Sequence, residues 1–94
     1  MSSVTIRIPT PLRSFTAGAD EVACEGATVG ELLQQLGDRY EGIAERILGD
    51  DGGLRPFVNV FLGSEDVRHL EGLDTPVEDG AILSIIPAVA GGMG

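Results

Sequence analysis

A chain of 94 residues is one domain's worth, and 43% hydrophobic residues are enough for a folded core. Fifteen acidic and six basic residues give a net charge of −9, a balance that nucleic-acid phosphates and anionic membrane surfaces would repel. The single cysteine, Cys24, excludes an internal disulfide and a cysteine-based metal site.

The charge fits a partner with a basic docking face, or serves solubility alone. All six basic residues are arginines, so the chain has no side-chain amine for Schiff-base chemistry and cannot build lysine-linked chains on itself. No apolar run approaches the roughly 20 residues of a membrane-spanning helix. The start, Met1-Ser2-Ser3-Val4, lacks the basic-then-apolar pattern of a secretory signal. A cytoplasmic protein is expected. Cys24 and the one histidine, His69, lack the orienting third group of a nucleophile–base arrangement. Cys24 reads as a strand residue and His69 as a loop residue.

Val4, Ile6 and Ile8 alternate with polar neighbours, the period of a half-buried strand, and Pro9 and Pro11 end it. A second strand is expected over 20–25, with Val22 and Cys24 on one face. Thr28-Val29-Gly30-Glu31 has the form of a capping box, and Val29, Leu32, Leu33, Leu36 and Tyr40 follow at helical spacing. The pattern predicts a helix over 28–40, stopped by Gly42. Ile43, Ile47 and Leu48 predict a short helical turn before an exposed Gly49–Gly53 loop. Residues 57–62 read as a strong strand, and 65–68 as a short strand after the Gly63-Ser64 turn. Asp79-Gly80 is a tight-turn signal. Residues 81–86 are apolar almost throughout, as expected of a central strand covered on both faces. This order predicts an α+β fold, a mixed sheet of four to five strands with one main helix across one face.

The informative feature is the end of the chain. A Pro-terminated strand, Ala81 to Pro87, runs straight into Ala88-Val89-Ala90-Gly91-Gly92. This resembles the C-terminal signature of the bacterial ubiquitin-like sulfur carriers, which serve molybdopterin, thiamin and cysteine biosynthesis. The Pro-Ala-Val-Ala-Gly-Gly ending is closest to that of the cysteine-biosynthesis carriers. The resemblance extends to Val4–Arg13, to Arg55-Pro56-Phe57-Val58-Asn59-Val60 and to Glu65-Asp66-Val67-Arg68, and so covers most of the chain.

The resemblance implies a ubiquitin-like (β-grasp) domain over 1–87 and a flexible tail over 88–94. It implies no active site or bound cofactor in the chain itself. Gly92 would be adenylated by a ubiquitin-activating-like enzyme that uses ATP and Mg. Sulfur would then displace AMP to give a thiocarboxylate, which a sulfur-accepting synthase, here a cysteine synthase, would consume. Ala88, Val89, Ala90 and Gly91 would be the recognition segment. Small residues and glycines suit it, because they can thread a narrow channel. From Pro87 to Gly92 an extended chain reaches on the order of 20 Å, at about 3.3–3.6 Å per residue.

One departure is Met93-Gly94, which follows the Gly-Gly pair and leaves Gly92 without a free carboxylate. A JAMM-type metalloprotease cutting between Gly92 and Met93 is the expected remedy. The alternative is that Gly94 itself is the terminus used. Two other roles stay open: the small subunit of molybdopterin synthase, and a protein modifier conjugated through Gly92.

The sheet face away from the helix is the expected partner surface, with Phe61 as a candidate anchor. The competing reading puts Phe57 and Phe61 together in the core, since alternation makes them share a face. Asp50 and Asp51 lack the spacing of a calcium loop. Glu65 and Asp66 read as a solvated turn rather than as a catalytic pair, so no metal-binding residue is expected.

Overall fold

The computed structural model describes residues 2–87. The first strand, β1 (Ser2–Arg7), buries Val4 and Ile6 and leaves Ser3 and Arg7 exposed, as the alternation requires. Pro9 then turns the chain into a 3-10 helix over Thr10–Thr16, an element the prolines conceal in the sequence. It buries Leu12 and Thr16, and Thr16 Oγ1 donates to the Ala19 carbonyl at 2.8 Å. The next strand, β2 (Glu21–Gly26), pairs antiparallel with β1 and buries Val22 and Cys24.

The capping box forms at the start of α1 (Val29–Arg39). Thr28 Oγ1 accepts from the Glu31 N–H at 3.2 Å, and Glu31 Oε1 accepts from the Ala27 N–H at 2.8 Å. Val29, Leu32, Leu33 and Leu36 are all within 1% of complete burial. Each such side chain contributes about 1.5–3 kcal/mol of hydrophobic free energy. Gly42, at φ +90°, takes the chain out of α1 and into α2 (Ile43–Ile47). The Gly49–Gly53 loop closes on itself, with Gly49 N–H donating to the Gly53 carbonyl and Asp51 Oδ1 accepting from Gly53 N–H.

Strand β3 (Val58–Leu62) buries Val58 and Val60. Of the short strand expected over 65–68, only β4 (Glu65–Asp66) pairs. Asp66 Oδ1 accepts from the Arg68 N–H and starts a 3-10 turn over Val67–His69 instead. The last strand, β5 (Ile82–Pro87), follows the turn at Gly80.

The sheet order is β2-β1-β5-β3-β4, with β5 parallel to β1 and antiparallel to β3. β5 is therefore central, but the expectation of cover on both faces is wrong. Leu83 and Ile85 are buried on the helix side, whereas Ile82 and Ile86 are 45% and 46% exposed on the other. No element among the described residues crosses that second face. β2, at one edge, is closed by α1: Gln35 Oε1 accepts from the Glu25 N–H, and Arg39 Nη1 donates to the Ala23 carbonyl. That covers polar groups an open edge would offer to another chain.

Candidate functional site

The expected tail, with Ala88, Val89, Ala90, Gly91, Gly92 and Met93, lies outside the described residues. The domain that would carry it is described up to Pro87, the last residue of β5. There Val58 pairs with Pro87, and Asn59 with Ile86.

The open face is built by strand alternation. Val58 and Val60 point to the core, so Asn59 and Phe61 point away from it. The same rule turns Ile82, Ser84 and Ile86 of β5, and Thr5 and Arg7 of β1, to the open side. Register then sets one row across five strands: Glu21, Arg7, Ser84, Phe61, Asp66. Phe61 faces Ser84 directly and is diagonal to both Ile82 and Ile86, a spacing of about 7–8 Å that an aromatic ring spans. Together they form an apolar strip along the last strand before the tail. The core reading of Phe61 fails, because the ring is half-buried on the open face. Phe57 precedes β3 and is 62% exposed.

Arginines flank this strip. Arg7 pairs with Glu21 at 3.6 Å, both well exposed. Arg13 donates Nε–H to the Ile8 carbonyl at 3.0 Å. On the β3 side, Arg68 donates to Asn59 Oδ1 at 2.9 Å and to the Arg55 carbonyl at 2.6 Å. Arg55 in turn donates Nε–H to the Glu45 carbonyl at 2.7 Å. A depression of about 410 Å³ lies at the end of β5, between Arg7, Arg13, Ser84, Ile86 and Pro87. Sequence reasoning missed this grouping, since its members are scattered along the chain and only the register collects them.

The other candidates resolve to structural roles. Cys24 is buried in β2 at one edge of the sheet, while His69 follows β4 at the other. Four strand spacings of about 4.8 Å separate those edges, so the two cannot act as a pair. Burial pushes the Cys24 thiol above its ordinary pKa, although Arg39 Nη1, 3.7 Å from the sulfur, opposes the shift. A neutral buried thiol is a poor nucleophile. Asp66 is a cap and Asp51 closes its own loop. Among the described residues, no group of three His, Cys, Asp or Glu side chains could hold a metal ion. No helix among them is long and apolar enough to cross a membrane.

A five-stranded mixed sheet with its main helix on one face and its last strand at the centre is the ubiquitin-like β-grasp architecture. The chain belongs to the ThiS family, which it matches over residues 6–92. It is 44% identical over 92 residues to the sulfur carrier protein CysO of Mycobacterium tuberculosis, covering 96% of this chain and 99% of the relative. It is 43% identical over 68 residues to small archaeal modifier protein 3 of Haloferax volcanii, covering 72% and 73%. Among solved structures, CysO of Amycolatopsis orientalis in complex with BexX superposes with a TM-score of 0.89 at 45% identity, covering 95% of this chain and 99% of that one. Like the CysO carriers, the protein is a small ubiquitin-like carrier rather than an enzyme.

Proposed function

We propose that this protein is a sulfur carrier whose Gly92, freed by removal of Met93 and Gly94, is adenylated and converted to a thiocarboxylate that supplies sulfur for cysteine biosynthesis. The observation that carries this reading is the family match, which runs through Gly91-Gly92 and stops there. The fold supports it. The strand that leads to the tail is the central one, held on both edges by β1 and β3, so the tail is anchored on a rigid base.

The chemistry follows from the terminal group. The Gly92 carboxylate attacks the α-phosphorus of ATP, releasing pyrophosphate and forming an acyl adenylate. A sulfide equivalent adds at the acyl carbon and expels AMP, leaving the thiocarboxylate. ATP, Mg and every catalytic side chain belong to the adenylating partner. The consuming partner is a sulfur-accepting synthase, a cysteine synthase in this reading, and the processing partner a JAMM-type metalloprotease acting after Gly92. All of these steps take place in the cytoplasm.

A second reading, protein modification through Gly92, is favoured by the 43% identity to the archaeal modifier. Mass spectrometry of the protein from its own cells separates the two. A chain ending at Gly92 and heavier by the difference between sulfur and oxygen is the thiocarboxylate. Recovery of Gly92 only as an isopeptide on lysines of other proteins would sink the carrier reading.

A further inference from the structure

The charge of this molecule is segregated along β5. At the strand's start, Glu78 and Asp79 form the entering turn, and Glu65 faces Leu62, which pairs with Leu83. A depression of about 360 Å³ there is lined by Glu78, Asp79, Leu62 and Ile82. At the strand's end the sign reverses. Arg7 and Arg13 line the depression beside Pro87, and Arg68 bonds to Asn59, the partner of Ile86. Three of the six arginines in a chain of net charge −9, Arg7, Arg13 and Arg68, thus collect near the end of β5.

From this arrangement we infer that the arginine group at the end of β5 is a docking collar for an adenylating partner whose channel mouth is acidic. The inference rests on the carrier reading. With Gly92 in the partner's active centre, Pro87 lies on the order of 20 Å back along an extended tail. The collar therefore cannot touch the reacting carboxylate or the phosphates of ATP, and it meets the rim of the channel instead. A mouth of carboxylates complements it. A basic mouth, which the net charge alone would favour, would set guanidinium against guanidinium. Glu21, 3.6 Å from Arg7, is exposed, and such a pair is weak enough to exchange for a partner's carboxylate.

The test uses chains ending at Gly92, which keep the whole fold of residues 2–87, with the adenylating enzyme of the same organism. The steady-state KM for the carrier is read by pyrophosphate exchange at several salt concentrations. Arg7→Glu and the double reversal Arg7→Glu/Arg13→Glu are compared with Glu78→Arg at the other end. Arg13 holds the Ile8 carbonyl, so thermal melts accompany every variant, and Arg7→Glu serves as the reversal that breaks no bond to the backbone. The expected result is a KM raised about tenfold by the double reversal with kcat kept, a wild-type KM that rises with salt, and a Glu78→Arg KM within about twofold. A KM unmoved by both reversals, or moved as far by Glu78→Arg, overturns the collar while wild-type exchange leaves the carrier reading standing. Absence of exchange with the wild-type chain overturns both.

Discussion

Phe61 shows how one position decides between packing and recognition. A ring buried in a core costs about 3–5 kcal/mol when cut to alanine. Phe61 sits on the open face beside Ile82 and Ile86, so Phe61→Ala is expected to cost about 1 kcal/mol or less in denaturant unfolding. Its effect should appear in partner affinity instead, and a stability loss of core size with unchanged binding would return the ring to the core reading. Cys24 supplies the opposite case, a reactive group with its reactivity suppressed. Burial raises its pKa above the ordinary 9.0, so the folded state favours the protonated thiol. The stabilisation is full below the unfolded value and is lost as pH rises through the higher folded one. Unfolding midpoints should therefore fall above about pH 9 in the wild type more steeply than in Cys24→Ser. Parallel pH profiles for the two proteins would show that the buried thiol is not the group responsible.

At the level of elements, the contact between the helices turns on one glycine. Gly37 lies inside α1, where alanine is normally better by about 1 kcal/mol. Yet a Cβ on Gly37 would stand 2.6 Å from the Cβ of Ala44 in α2, closer than side chains pack. Gly37→Ala is thus expected to lower stability by about 1–3 kcal/mol despite its helix propensity. Ala44→Gly should restore part of the loss, and a stabilised single variant would refute the close approach. The sequence contained no sign of this contact, because glycine in a helix reads only as a weak position. What it did show were the elements with a local signature: the Thr28–Glu31 cap, the leucine stripe of α1, the alternation of β1 and the apolar run of β5. The 3-10 helix over Thr10–Thr16 was hidden, since the prolines that start it also read as breakers. The strand expected over 65–68 was cut short by the Asp66 cap, a hydrogen bond that competes with strand pairing. The exposed side of β5 was half legible: one helix across a sheet leaves the other face open, while the apolar run of β5 read as covered on both faces, and among the described residues no second layer covers Ile82 and Ile86.

At the scale of the whole molecule, folding and activity are expected to be separable. Among the described residues, 2–87, lie a complete core and a five-stranded sheet, while Gly92 and Met93-Gly94 fall outside them. Removing the extension should leave the unfolding transition where it is, within about 0.5 kcal/mol, since surface-type changes rarely do more. The chemistry should change completely. With Met93 attached, the Gly92 carbonyl is an amide and has no anionic oxygen to attack phosphorus. A carboxylate on Gly94 would follow a long Met93 side chain, where a channel shaped for glycines would admit none. The encoded chain is therefore expected to be an inert precursor and the chain ending at Gly92 a competent substrate. Both forms, given the adenylating enzyme, ATP and a sulfur donor, are then weighed. Sulfur gained only by the shorter form places the switch at the Gly92–Met93 bond. Equal gain at Gly94 in the longer form would make the extra dipeptide a mere lengthening of the tail.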